Sequence, residues 1–213
     1  CLRMPTPSYI LYRTLVEIQG SRVDEVAFDE TWGVTAVFAS HDHDPKLVFL
    51  PNPNSSTGTM VSPDAILELA RSLPCPLLVD EAYADFADFN CVDLVAQCDR
   101  IMVSRTLSKS YGLAGLRFGY LVAQPHLIQE FRKVKDSYNC DALSIAAATA
   151  AMSDQDWLRD NVAKIRATRS KLEAALSELN FDVIPSQANF VWCRHKERNA
   201  RTIYEGLKAN GIL

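Results

Sequence analysis

Residues 100–123 read RIMVSRTLSKSYGLAGLRFGYLVA, and this stretch decides the fold. Its opening, Arg100 to Ser104, is β-rich and its close is again apolar, while Gly112, Gly115 and Gly119 punctuate the polar part between them. The reading is strand, loop, strand. Two more apolar strands lie upstream: Lys46 to Leu50 (KLVFL) runs into the turn-rich PNPNSSTG, and Pro76 to Val79 (PLLV) ends at Asp80. Between them, Ser62 offers an N-cap and Pro63 a first-turn proline to AILELARSL, whose apolar positions 66, 67, 69, 70 and 73 share one helical face. A short helix is predicted around Val92 to Gln97. Strands alternating with amphipathic helices indicate an α/β fold, a mostly parallel sheet with helices on both faces.

Downstream the pattern turns helical: LIQEFRKV after Pro125, then ALSIAAATAAM, then a run from Asp154 to Leu179 with apolar residues at 158, 162, 165, 172, 176 and 179. That run is too long for an ordinary core helix and predicts a connector between two lobes. FDVI, NFVWC and a helix from Lys196 to Ala209 read as βαβ-like material of a second, smaller α/β lobe. The division expected is 1–154 and 155–213, with no internal repeat or low-complexity segment.

The chain has 213 residues, 48% of them hydrophobic and 23% charged, enough to bury a sizeable core and too apolar for disorder. Twenty-two basic against 26 acidic residues give a net charge of -4, which disfavours nucleic acid or an anionic membrane as partner and favours a small molecule or a protein. No apolar run approaches the roughly 20 residues that span a bilayer. The opening CLRMPTPSYI lacks the layout of a signal peptide, so a cytoplasmic location is expected. Six cysteines without a C-x-x-C pair read as reduced structural thiols. His41, Asp42, His43 and Asp44 crowd a loop before Pro45 without metal-ligand spacing, so a solvated turn is expected and no metal.

Open α/β sheets carry their chemistry just beyond the carboxyl ends of the strands. Three loops there are unusual: NPNSSTG, DEAYADF and TLSKSYGLAGLRFGY. In the last, Thr106, Ser108, Lys109 and Arg117 supply two hydroxyls and two cations, equipment for holding a phosphate beside an amine. A lysine near other cations shifts toward its neutral, nucleophilic form, which carbonyl chemistry through a Schiff base requires. Asp80 ends a buried strand, where an ionised carboxylate needs a donor or cation; a protonated pyridine nitrogen would serve. Tyr83 stands three residues on and could present its phenol to an exocyclic oxygen of such a ring. The glycines do not spell G-x-G-x-x-G, and neither G-x-x-x-x-G-K-[ST] nor G-x-S-x-G occurs, which argues against dinucleotide binding, a P-loop kinase and an α/β-hydrolase.

In this order the loops resemble those of the fold-type I pyridoxal-phosphate enzymes, most closely the histidinol-phosphate aminotransferases of class II. RTLSKSYGLAGLRFGY is similar, nearly residue for residue, to the family's R-T-x-S-K-x-x-x-L-A-G-x-R-x-G-Y; DEAYADF resembles D-E-A-Y-x-E-F, NPNSSTG resembles N-P-N-N-P-T-G, and PTPSYILY and SQANFVW resemble further family segments. The resemblance implies pyridoxal 5'-phosphate as cofactor and Lys109 as the catalytic residue that binds it as a Schiff base and moves the proton. It further implies Asp80 on the ring nitrogen, Tyr83 and Asn54 at the phenolic oxygen, Tyr9 stacked on the ring, Arg117, Ser108 and Thr106 on the phosphate, and Asn189 on the substrate carboxylate. The implied reaction is ping-pong transfer of an amino group between an amino acid and a 2-oxo acid, in histidine biosynthesis, by a homodimer. On the same basis 1–154 is part of the large cofactor-binding domain, and 155–213 holds the connecting helix and part of the small domain.

Ser55 and Ser56 stand where the family has asparagine and proline, so Asn54 or the Ser55 hydroxyl is expected to substitute at the phenolic oxygen. The family's upstream glycine-rich phosphate turn and its downstream carboxylate-binding arginine are not in these residues, and the chain is expected to be a fragment. The lysine signature does not encode the substrate, which leaves a threonine-phosphate decarboxylase, another class I or II aminotransferase, or a catalytically incompetent fragment as alternatives.

Overall fold

Strand alternation sorts the apolar residues onto two faces of one sheet. The computed structural model describes residues 1–212. In order the elements are β1 (Leu2–Thr6), α1 (Leu11–Ile18), β2 (Val23–Ala27), β3 (Leu47–Pro51), α2 (Pro63–Ser72), β4 (Leu77–Asp80), β5 (Ile101–Thr106), β6 (Gly119–Val122), α3 (Pro125–Val134), α4 (Ala142–Ser153), α5 (Gln155–Glu178), β7 (Phe181–Ile184), β8 (Trp192–His195) and α6 (Ala200–Ala209). Six strands form a sheet in the order β2, β1, β3, β4, β5, β6; all neighbours are parallel except β5 and β6.

On β3, Val48 and Leu50 join Ile66, Leu69 and Ala70 of α2 in the main core, with Leu77, Val79, Ile101 and Val103 from β4 and β5. Leu47 and Phe49 pack instead with Leu2, Met4, Tyr12 and Val16. Side chains of adjacent strand residues point to opposite faces, so α2 covers one face and α1 the other. The expected parallel sheet with helices on both faces is what forms.

Local signals act as read. The Ser62 hydroxyl accepts from the Ala65 N–H with Pro63 in the first turn of α2, and the Asp154 carboxylate accepts from the Trp157 N–H at the start of the 24-residue α5. The N-terminal β1–α1–β2 unit was not anticipated. At the other end the expected βαβ arrangement is corrected: β7 and β8 pair antiparallel, and α6 follows both. The connection 185–191 is too short for a parallel crossover, which needs about a dozen residues. Asn199, whose side chain accepts from the Arg201 N–H, starts α6 later than the sequence pattern suggests.

The 41–44 loop serves the fold. Arg3, 1% exposed, donates to Asp24 at 2.7 Å and to the carbonyls of Phe38, Ser40 and Asp42, while His43 sits 3.0 Å from Asp24 and Lys46 pairs with Asp44. Among the described residues no cluster of His, Cys, Asp or Glu is placed to hold a metal ion, and no helix is long and apolar enough to cross a membrane. All six cysteines are free thiols.

Candidate active site

The strand order changes direction between β1 and β3: α1 carries the chain from β1 outward to β2, and the next strand returns to β1's other side. Such a switch point leaves a crevice at the carboxyl ends of the strands. A cavity of about 410 Å³ lies there. Tyr9 and Tyr12 reach it from beyond β1, Pro53 and Ser55 from beyond β3, Asp80 and Tyr83 from β4, and Thr106, Ser108, Lys109 and Arg117 from β5 and its loop. Four segments far apart in sequence thus converge because four strands end side by side.

The lysine loop is closed at its base. The Leu107 N–H donates to Phe118 O at 3.1 Å and the Leu113 N–H to Leu107 O at 3.0 Å, with the Leu107 side chain fully buried. Behind the loop, Arg105 pairs with Glu81 at 2.7 Å and Asp85 at 2.8 Å, and the Ser110 hydroxyl donates to Asp85. Lys109, between Ser108 and the buried Ser110, has its ammonium 5.2 Å from the centre of the Tyr83 ring, and among the described residues it has no ion-pair or hydrogen-bond partner. Tyr83 is backed edge-on by Phe190 at 5.3 Å. The Thr106 hydroxyl donates to Ser108 Oγ at 2.9 Å, and Arg117, in the left-handed region at φ 56°, donates to Ala114 O at 2.8 Å. One cavity therefore offers an unpartnered amine, a carboxylate, three phenols, hydroxyls and guanidinium groups.

Seven of the residues singled out from sequence line this cavity: Tyr9, Asp80, Tyr83, Thr106, Ser108, Lys109 and Arg117. Asn54 does not. It is buried, its amide donating to Pro7 O at 3.2 Å and Thr57 Oγ1 at 3.0 Å, so it ties the 51–59 turn to the segment after β1. Its neighbour Ser55 lines the cavity instead, with a buried hydroxyl that has no hydrogen-bond partner among the described residues. Asn189 is not brought to the site either: it lines a separate cavity with Lys164, Arg169 and Leu172 of α5. The chain is steered there because the carbonyl of the buried Ala188 accepts from Arg169 at 2.7 Å.

Sequence reasoning missed Tyr12 and Arg105. For Tyr12 the available signal was its spacing of three from Tyr9, which places both on the same side of a helix start.

The sequence profile of the family described as aminotransferase class I and II matches residues 2–211. The chain is 60% identical over 212 residues to a histidinol-phosphate aminotransferase of Rhodopirellula baltica, covering 100% of this chain and 59% of that protein. To the enzyme of the same name from Geotalea uraniireducens it is 44% identical, covering 97% of this chain and 59% of the relative. The crystal structure of histidinol-phosphate aminotransferase from Sinorhizobium meliloti in complex with pyridoxal-5'-phosphate superposes with a TM-score of 0.91 at 27% identity, over 100% of this chain and 60% of that one. L-threonine-O-3-phosphate decarboxylase from Porphyromonas gingivalis shares the fold, with a TM-score of 0.84 at 21% identity, over 100% of this chain and 65% of that one. The chain thus spans about six-tenths of the length of the relatives it matches.

Proposed function

Since the chain belongs to the class I and II aminotransferases, we propose that it forms the cofactor-binding core of a pyridoxal-phosphate-dependent aminotransferase of the histidinol-phosphate type. The observation that carries this is the single cavity uniting Asp80, Tyr83, an unpartnered Lys109 and Arg117. The donor set suits pyridoxal phosphate on its own chemistry: an amine for an aldehyde, a carboxylate for a pyridinium, an unpartnered buried Ser55 hydroxyl beside a phenol, and hydroxyls with a guanidinium for a phosphate.

When bound, that cofactor supplies a carbonyl for amines to condense with and a protonated ring that accepts electron density from the substrate's α carbon. Lys109 would bind its aldehyde carbon and, once displaced by the incoming amine, carry the proton at the substrate's Cα. Asp80 would keep the ring nitrogen protonated. Tyr83 and Ser55 would donate toward the phenolic oxygen, Tyr9 would stack on the ring, and Arg117, Ser108 and Thr106 would hold the phosphate.

The same reading includes amino-group transfer between histidinol phosphate and 2-oxoglutarate by a ping-pong route, a homodimer and a cytoplasmic location. It also keeps the division at 154/155, which the start of α5 at Gln155 supports. Asn189 holds a place in it only through a rearrangement of the 185–191 connection.

Mixing the protein with pyridoxal phosphate should give a visible absorbance band that Lys109→Ala lacks, and Lys109→Ala should lose about 10²–10⁴-fold of any transfer rate. A wild type without such a band refutes the reading. With histidinol phosphate and 2-oxoglutarate as substrates, glutamate is the product expected; released carbon dioxide from a phosphorylated amino acid would point to a decarboxylase instead.

A further inference from the structure

Among the described residues, Tyr12 is the one side chain hydrogen-bonded to Asp80, and the proposed function leaves it without a role. It stands in the first turn of α1, 5% exposed, and donates from its phenol to Asp80 Oδ2 at 2.5 Å. The other carboxylate oxygen, Oδ1, accepts from the Ala82 N–H at 3.1 Å. Both oxygens of Asp80 are thus engaged, one by backbone and one by a side chain.

The phenol is aimed by packing. Phe49 meets the Tyr12 ring edge-on at 5.0 Å and Tyr9 does so at 5.7 Å. Val16, one turn further along α1, is buried with it against Leu2 and Met4 of β1. A phenol taken from water to this depth needs a hydrogen-bond acceptor, and Asp80 is the one it has.

We infer that Tyr12 is a positioning residue that acts through Asp80: its phenol fixes the orientation of the carboxylate and holds the negative charge on it, presetting the acceptor for a pyridinium nitrogen. The inference rests on the cofactor reading above. A phenol that donates to one carboxylate oxygen fixes the plane of the group and leaves its remaining lone pairs directed for a ring N–H. A carboxylate locked before binding also loses less freedom when a ligand arrives. Burial first, and the Asp80 charge second, raise the pKa of the phenol, so Tyr12 remains a donor throughout the range in which an aminotransferase works. Tyr9, Tyr83, Arg105, Lys109 and Arg117 are the other ionisable groups on the cavity wall, and among the described residues the Asp80 side chain is hydrogen-bonded to Tyr12 and the Ala82 N–H rather than to any of them.

Tyr12→Phe keeps the ring and deletes the hydroxyl. Pyridoxal phosphate affinity, read from the visible band, should be measured for the wild type, Tyr12→Phe, Asp80→Asn and the double variant. Tyr12→Phe should weaken binding about tenfold in the wild-type background, the scale of a hydrogen bond to a charged group. In the Asp80→Asn background, where there is no carboxylate charge to hold, the same change should alter affinity less than about twofold. The pH midpoint of the band should also move in Tyr12→Phe, while its thermal midpoint stays near that of the wild type. Equal loosening in both backgrounds marks a packing role and overturns the inference, as does unchanged affinity in Tyr12→Phe. If the wild type forms no Lys109-dependent band, the cofactor reading fails and the inference falls with it; a normal wild-type band beside an unaltered variant refutes the inference alone.

Discussion

Glu81 follows Asp80 in the chain, yet the two carboxylates have opposite surroundings. Asp80 opens on the cavity, whereas the Glu81 side chain is fully buried, paired with Arg105 at 2.7 Å and accepting from the Cys91 N–H. Burial raises the pKa of Glu81 and Arg105 works against it. The neighbouring Cys91 thiol is pushed up to about 12, by burial first and by the Glu81 charge second, and is therefore inert as a nucleophile. Taking two charges out of water is costly, and the pair is tolerable only while both partners are present. Glu81→Ala would leave Arg105, 12% exposed, with Asp85 as its remaining partner. Urea unfolding should show a loss of about 3–5 kcal/mol for Glu81→Ala. Replacing the pair together, Glu81→Leu with Arg105→Met, should cost less, because the buried guanidinium goes with its partner and the Asp85 carboxylate left behind is 24% exposed and still accepts from Ser110. If the double replacement costs as much as the single one, the pair contributes more than mutual neutralisation.

Among the elements, β1 and β2 show what periodicity could not reveal. The stretch LRMPT places Arg3 at a buried position between Leu2 and Met4, so the strand reads as broken although its backbone pairs on both sides. VDEVA at the sheet edge is half polar for the opposite reason: it has little to bury. By contrast α5 was readable end to end, because Asp154 caps it and its apolar spacing persists. The same division holds in the site. Asp80, Tyr83 and Lys109 sit at strand ends or in loops whose composition announces chemistry, whereas Asn54 and Ser55 differ by which way a turn faces, a matter decided by tertiary contacts. Arg3 makes β1 intelligible in retrospect, since its guanidinium binds the 37–42 segment to β2 through Asp24. Arg3→Met should destabilise by about 3–5 kcal/mol by leaving several buried carbonyls unpaired and the Asp24 carboxylate with His43 as its remaining partner. Burial alone would raise the pKa of Asp24, but the hydrogen bonds from Arg3 and His43 prevail and hold it below the usual carboxylate range. The stability Asp24 contributes is therefore complete above about pH 4 and is lost as pH falls through its depressed value. Asp24→Asn should flatten that part of the acid-unfolding curve; an unchanged curve refutes the assignment.

At the scale of the molecule, the question is how β7, β8 and α5 are held against the six-stranded sheet. The 51–59 turn after β3 is one clamp: the Gln187 N–H donates to Gly58 O at 2.7 Å, and Gly58 in turn donates to Asn54 O at 2.8 Å. Arg169 is a second, joining α5 to the carbonyls of Phe86 and Ala188. Gln187 adds a third through Asp88, accepting from its N–H and donating to its carboxylate. Gly58 is the tightest of these points. Its φ is 76°, a region that costs other residues about 1–2 kcal/mol, and a Cβ there would lie 2.2 Å from Ser186 Oγ and 3.3 Å from the Ser186 backbone. The hydroxyl can swing aside but Ser186 Cβ, 2.9 Å away, cannot, so the clamp must shift to admit even a methyl group. Gly58→Ala should cost about 2–4 kcal/mol, the left-handed strain plus overpacking. Hydrogen exchange should place the damage: amides from 181 to 195 become faster, Gln187 most of all, while those of β3 and β4 keep their protection relative to the variant's global stability. Ser186→Gly in the same background should restore part of the loss by removing the hydroxyl and its Cβ, though the positive φ remains. A uniform rise in exchange across both sheets would mean that the turn is a support of the whole core, and the clamp at Gly58 would then have no separate existence.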